Sequence, residues 1–385
     1  MPGLNVGVVG AGIVGLAHAW SAAERGHRVT IFERSAKARG ASVRNFGMIW
    51  PIGQPAGIWH QTALVSRDRW LQLGQAAGIW VNPCGSIHLA HHAEEWDVLR
   101  EFAAQAEQLG FNCRRLNADE VLDRTPAANP KNLLGGLFST TELCVDPPKA
   151  VQQIATWLEQ SFSVRLEFET DILALCHIGA NQLIRLESSR GRHEAFDRVI
   201  VCGGDECQTL FPDAFAACGL KRCKLQMLKT GPQASHWRIG PHLASGLTLR
   251  HYRSFESCAS LLKLRERIAR ESPELDRFGI HVMAAQNDAG EVILGDSHEY
   301  GEDIEPFDKT EIDELILREL RKIICLPDWT IAKRWHGYYL KSPGGAPIFE
   351  AEPLPGVHIC TGTGGAGMSL AFGIAERAWR QWESA

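Results

Sequence analysis

The apolar positions of this chain change period several times, and each change marks an element. Val6, Val8 and Val9 form a short apolar run of the kind found in a strand buried on both faces. Gly10, Gly12 and Gly15 follow, and from Ile13 the apolar residues Leu16, Ala17, Trp20 and Ala23 recur at helical spacing. Val29, Ile31 and Phe32 return to strand and end at Glu33. Helical spacing predicts helices over 58–73 and 93–109, with a short strand over 85–90 between them. Asn117 and Glu120 read as a capping box that opens a helix, and Asp146–Pro147 leads into an amphipathic helix over 150–158. Strands are expected over 164–168, 172–176, 183–187 and 198–202, the last running into Gly203–Gly204. Strands and loops fill 221–300, with a charged helix over 261–269. A hairpin turn at Asn287–Gly290 joins 281–285 to 292–295. An amphipathic helix over 309–324 follows. The chain then closes with a strand over 357–360, a glycine-rich loop over 361–367 and a helix over 368–382. The alternation predicts an α/β fold whose ligands sit at the carboxyl ends of the strands.

The first strand–turn–helix–strand unit carries specific chemistry. Gly10 allows the tight turn, Gly12 lets backbone approach a pyrophosphate, and Gly15 lets the helix pack close to the strand. The helix begins at Ile13, so its unpaired N–H groups face the phosphates. Glu33, at the tip of the second strand, is placed to accept hydrogen bonds from a ribose diol, next to Arg34. A bare turn in an α/β domain would leave Glu33 unexplained. Gly40, Ala41 and Ser42 then keep the next loop slim, with Ser42 offering a hydroxyl to a phosphate and Asn45 following. A flexible surface loop has a similar composition, but Met48, Ile49 and Trp50 indicate a segment that turns inward. The second strand–glycine-loop–helix, far along the chain, implies a second backbone approach to the same ligand. A nicotinamide does not usually require this. An isoalloxazine does, because a helix N-terminus stabilises its carbonyl edge on reduction.

Composition narrows the class. A chain of 385 residues with 45% hydrophobic and 22% charged residues accommodates two globular domains, expected to be interleaved. The net charge of −5 offers no basic footprint for nucleic acid or anionic membrane. Eleven cysteines without a C-x-x-C pair indicate reduced thiols in a cytoplasmic protein. Cys202/Cys207 and Cys218/Cys223 share a spacing with no further ligand nearby, so no metal site is expected from them. His91–His92 reads as solvated. No signal peptide and no membrane span are expected.

The motifs VGVVGAGIVGLAHAW, Glu33, Gly40–Ala41–Ser42, VIVCGG and GTGGAGMSLAFGIAE together resemble the D-amino-acid oxidase/glycine oxidase/sarcosine oxidase family of FAD-dependent oxidoreductases. The resemblance covers essentially the whole chain. It implies a Rossmann-like FAD-binding domain (1–50, 140–210 and 331–385) with an interleaved α+β substrate domain (51–139 and 211–330) built on a mixed antiparallel sheet. It also implies hydride transfer from an amine-bearing carbon to flavin N5, giving an imine and then an aldehyde and an amine. Oxygen or another electron acceptor would reoxidise the flavin. On the matching motifs, FAD positions fall at Gly10, Gly12, Ile13, Gly15, Glu33, Arg34, Ser42, Asn45, Ile172, Gly203, Gly204, Gly364, Gly365, Gly367 and Met368. No covalent-flavin cysteine or histidine stands out, so the FAD is expected to be non-covalent.

The departures concern the substrate. In this family a G-x-R-P segment carries an arginine that clamps a carboxylate. Here Gly337–Tyr338–Tyr339–Leu340 occupies that place, and Gly365 stands where some members keep another arginine. An arginine fork suits a planar carboxylate, so its loss points to another anion, or to other cations: Arg44, Arg250, His251, Arg253 or Lys341. Each of these also has an ordinary reading as a solvated surface group. SVRNFGMIWPIGQPAG and GEVILGDSHEYG resemble a bacterial subgroup associated with phosphonate catabolism, whose suggested substrates are N-alkylated 2-aminoethylphosphonates. Expected substrate-side residues are Met48, Trp50, Arg250, His251, Trp335, His336, Tyr338, Tyr339 and Lys341, and no catalytic base is assigned. Three alternatives stand beside this: a glycine oxidase or D-amino-acid dehydrogenase, a flavin hydroxylase hinted at by Gly295–Asp296–Ser297–His298, and a flavin-binding scaffold without turnover. The hydroxylase-like segment reads as part of a hairpin strand, which counts against that alternative.

Overall fold

The computed structural model describes residues 3–179, 182–191, 193–301, 303–342 and 347–384. Asn5–Val9 lies near the middle of a six-stranded sheet, paired in parallel with Arg28–Glu33 on one side and Arg198–Val201 on the other. Arg165–Phe168 extends the sheet beyond Arg28–Glu33. Val357–Thr361 extends it beyond Arg198–Val201, with Phe349–Leu354 as an antiparallel edge. Val6, Val8, Ile31, Val199 and Ile200 are buried, as strands covered on both faces require.

One cover is a stack of three helices. Ile13–Glu24 packs on Gly367–Ser384, which packs on Ile58–Ala76. The second crossing is close because Gly373 has no side chain: a Cβ there would lie 2.1 Å from the Thr62 carbonyl oxygen. The buried Trp70 adds an indole N–H bond to the Met368 carbonyl at 2.9 Å. The glycine-rich loop before this last helix is thereby held against the rest of the fold.

The second large sheet has nine strands and mixed direction. Lys221–Pro232 is its longest; Ile331–Lys341 runs antiparallel along one side of it, and Glu291–Gly295 and Glu299–Gly301 share the other. Met283–Gln286, His242–Ala244, Ser86–Ala90, Gly135–Ser139 and Cys113–Asn117 continue the order, with His242–Ala244 and Ser86–Ala90 as a parallel pair. Ala93–Gln105, Leu261–Glu271 and Thr310–Ile323 contribute buried residues such as Val98, Leu264 and Ile316 to one large apolar core. Asn287–Gly290 turns between Met283–Gln286 and Glu291–Gly295, as the sequence predicts. Asn117 caps Ala118–Arg124 with the reciprocal Glu120 bond.

The expected α/β architecture, with a Rossmann-like sheet and a mixed second sheet, is what the chain adopts. One boundary differs. Ile331–Lys341, grouped with the first domain from the sequence, pairs from end to end with Lys221–Pro232 in the second sheet. A short sheet of Met48–Ile49, Leu143–Val145 and Val81–Asn82 lies where the chain passes between the two halves. All eleven cysteines are free thiols. Among the described residues, no helix is long and apolar enough to cross a membrane.

Candidate functional site

The first glycine turn has the geometry its sequence requires. Gly10 has φ +103°, and a Cβ there would fall 2.4 Å from the Cys202 carbonyl oxygen. At Gly15 a Cβ would lie 2.0 Å from the Gly10 carbonyl, so the helix rests directly on the turn. The first helical N–H groups find acceptors in the surrounding loops. Ile13 N–H donates to Ser42 Oγ at 2.9 Å, and Ala11 N–H donates to Glu33 Oε2 at 3.1 Å. The other Glu33 oxygen accepts from Ser35 N–H at 3.0 Å. Asn45 shapes the small-residue loop from within, donating to the Ala41 and Ser42 carbonyls and accepting from Gly47 N–H. Arg34 pairs with Glu206 at 3.3 Å across the groove.

The second glycine loop meets the first from the far end of the chain. Gly364 has φ +55° and opens a 3₁₀ turn, Gly364–Ala366, that leads directly into the helix Gly367–Ser384. The Thr361 hydroxyl ties this loop to the other glycine pair by donating to the Gly204 carbonyl at 2.6 Å.

Both loops line a single cavity of about 630 Å³ that continues to the face of the nine-stranded sheet. Gly10, Gly12, Ile13, Glu33, Arg34, Ser42, Asn45, Ile172, Gly203, Gly204, Gly364, Gly365, Gly367 and Met368 all lie on its wall, and Gly15 is withdrawn behind the turn it supports. The cavity and its two backbone cradles fit a flavin adenine dinucleotide, whose pyrophosphate the start of Ile13–Glu24 would hold and whose flavin Gly364–Met368 would hold.

The substrate-side expectations divide. Met48, Trp50, His251, Tyr338, Tyr339 and Lys341 line the cavity, as do Arg44 and Arg253. Arg250, Trp335 and His336 do not. Arg250 turns away to pair with Asp276, although it precedes His251. The Trp335 indole N–H donates to the Arg44 carbonyl at 3.2 Å, and His336 binds Asp308 at 2.8 Å. Each of the three is therefore already partnered, Arg250 and His336 outside the cavity and Trp335 by the backbone of Arg44. Lys341 Nζ lies 3.2 Å from the Tyr300 hydroxyl.

Tyr252, His281, Asp296 and His298, which the sequence did not point to for the substrate side, also line the cavity here. Gly295–Asp296–Ser297–His298 is not a continuous strand. The strand ends at Gly295, and Asp296 then exchanges backbone hydrogen bonds with His281 at 2.9 and 3.3 Å, which sets their side chains together. Asp296 Oδ1 lies 3.3 Å from His281 Nε2, and Oδ2 lies 3.8 Å from His298 Nε2. The His251 ring is 4.0 Å from that of His281 and 4.5 Å from that of His298, centre to centre. Burial pushes the His251 and His281 imidazoles well below their ordinary pKa and His298 down to about 4, and it pushes the Asp296 carboxyl well up. Tyr339 is raised for the same reason. The available signal was an acid and a histidine directly after an apolar strand, ILGDSHE, which has no periodic reading as a solvated edge.

Comparison with known proteins agrees with this geometry. Residues 5–379 match the profile of the DAO family, described as FAD dependent oxidoreductase. One of the subunits of opine oxidase from Rhizobium meliloti is 21% identical, over 92% of this chain and 87% of its own length. The crystal structure of glycine oxidase from Bacillus cereus superposes with a TM-score of 0.78 at 18% identity, covering 99% of this chain and 95% of that one. Dithionite-reduced L-alpha-glycerophosphate oxidase from Mycoplasma pneumoniae, with FAD bound, gives 0.77 at 16% identity, covering 100% and 95%.

Proposed function

This chain belongs to the DAO family of FAD-dependent oxidoreductases, and on that premise we propose that it oxidises a small amine with an anionic head, an N-alkylated 2-aminoethylphosphonate. The observation that carries this reading is the cationic equipment of the cavity. Tyr339 and Gly365 stand at the places where the family resemblance expects a carboxylate-binding arginine, and Arg44 and Lys341 reach the wall from separate segments. A planar carboxylate is best held by one guanidinium fork. A tetrahedral dianion accepts from several directions, which suits scattered point charges.

FAD supplies a two-electron acceptor for the hydride of the carbon that bears nitrogen. The chain's own part is to bind, orient and dry the substrate. Met48, Trp50, Leu225 and Met227 give the cavity apolar surface that excludes water. The buried, neutral imidazoles nearby present no charge to repel an amine. No side-chain base is needed once the amine is neutral and its C–H bond is aligned. Non-covalent FAD, and oxygen or another acceptor as oxidant, complete the proposal.

The likeness to an opine oxidase component over most of both chains favours a second reading, oxidation of an opine. Both readings are tested by adding N-methyl-2-aminoethylphosphonate, an opine such as octopine, glycine, sarcosine or D-alanine anaerobically to the purified yellow protein. Bleaching of the oxidised-flavin band by the phosphonate supports the first reading, and bleaching by the opine alone supports the second. Bleaching only by glycine, sarcosine or D-alanine overturns both, and no bleaching by any amine returns the protein to a flavin-binding scaffold.

A further inference from the structure

On the cavity wall lies a set of buried polar atoms without hydrogen-bond partners. Asp296, His281 and His298 are buried, and His251 lies over them with nitrogens of all three imidazoles within 4.8 Å of one another. Neither nitrogen of His281 has a hydrogen-bond partner, nor does Asp296 Oδ1, although His281 Nε2 and that oxygen are only 3.3 Å apart. His298 differs in a telling way. Its Nδ1 lies 3.1 Å from the Gly279 carbonyl, a contact in which only N–H can donate, so the proton sits on Nδ1 and a lone pair on Nε2. That lone pair faces Asp296 Oδ2 at 3.8 Å. Each neutral imidazole leaves one nitrogen lone pair free for a cation, and burial leaves those lone pairs no water to bond. A proton relieves one atom at a time, whereas a metal cation relieves all four residues together.

We propose that His251, His281, His298 and Asp296 form a binding site for one divalent transition-metal cation, with its open coordination positions facing the cavity. Three imidazoles and a carboxylate are the nitrogen–oxygen donor set of zinc, iron, cobalt or nickel, and not of magnesium or calcium, which prefer oxygen alone. Burial supplies the neutral imidazoles that ligation needs. Gly279 supplies the outer-shell carbonyl that characteristically orients a ligating histidine. Metal–nitrogen bonds of about 2.1 Å place tetrahedral donors about 3.4 Å apart. The imidazoles here lie somewhat wider, and side-chain rotation closes the gap. The positive groups that face the cluster are Lys341, bonded toward Tyr300, and Arg250, already paired with Asp276, so neither occupies its centre. The sequence offers no local ligand spacing because the residues come from a 3₁₀ turn, the approach to one strand and the exit from another. Holding the substrate's anionic oxygen at the open position is a role that rests on the function proposed above; the metal site itself does not.

The test uses the flavin-loaded enzyme and needs no turnover. Zinc is removed with a chelator, re-added in a calorimetric titration, and bound metal is counted by elemental analysis. One zinc per chain is expected, weakened at least about a hundredfold in His281→Asn and Asp296→Asn, and unchanged in His336→Ala, which lies outside the cavity. Flavin content and melting temperature show which variants are folded, and the isosteric Asp296→Asn decides where the histidine variant loses flavin. No zinc binding by the wild-type enzyme, or binding that both cluster variants retain, overturns the proposal. Either result leaves the bleaching experiment to stand or fall separately.

Discussion

At the glycine end of the cavity the groups that face the ligand are backbone N–H donors from two helix starts, and the side chains around them are already satisfied. Glu33 accepts from Ala11 and Ser35, Ser42 accepts from Ile13, and Asn45 is bonded through both its amide groups. At the sheet end the ligand-facing groups are side chains, and several have no partner at all: both nitrogens of His281 and Oδ1 of Asp296. One end is finished before any ligand arrives, and the other is completed by what it binds. Unpaired buried polar atoms raise the energy of the empty state by about 1–3 kcal/mol each. They persist at the end where selectivity is decided and are missing at the end that recognises a cofactor common to many enzymes.

Four substitutions break or sharpen this contrast. The largest effect is expected from Gly10→Val. A side chain with φ +103° and a carbonyl at 2.4 Å has no room, so the variant should purify with less than about a tenth of the wild-type flavin, read from the visible-to-ultraviolet absorbance ratio. Next, Lys341→Ala should raise KM for the amine about tenfold with kcat within about twofold, as expected for an anion contact made equally in the ground and transition states. A fall in kcat with constant KM would instead place Lys341 in the chemistry. Ser42→Ala removes one bond to the helix start and should cost about 1 kcal/mol, seen as an approximately fivefold weaker FAD dissociation constant. The smallest effect has the opposite sign. In chelator, Asp296→Asn replaces a carboxyl whose ionised form burial disfavours with a neutral amide and should raise the melting temperature by about 2 °C. A loss of stability there would mean that the sheet end is as satisfied as the glycine end.

The same contrast explains what could be read from the residues alone. Gly10, Gly12, Gly15 and Glu33 fall within one strand–helix–strand unit, so local backbone chemistry dictates their spacing. The Gly364–Gly367 loop repeats that logic. Both halves of the fold were legible because apolar period reports directly on burial. The sheet end was not, since which residues of a strand reach the cavity depends on where the folded strand meets it. His251 enters the cavity while Arg250 leaves it for Asp276, and Tyr338 and Tyr339 line it while Trp335 binds the Arg44 backbone and His336 binds Asp308. Ile331–Lys341, expected in the first domain, pairs with Lys221–Pro232 because strand patterning fixes a face and not a partner. His281, Asp296 and His298 meet only through pairing of distant segments, a relation that no spacing along the chain expresses.

The cavity wall contains both Gly10 and Met368, among the first and last folded segments described. On a ribosome the amino-terminal glycine turn emerges long before its counterpart exists. A nascent chain can form its first strands but has no closed crevice in which to retain a flavin until the helix Gly367–Ser384 has docked. Capture of the cofactor thus waits for that helix, so chains interrupted before it should accumulate colourless, with the apolar faces meant for its side chains open to chaperones and proteases.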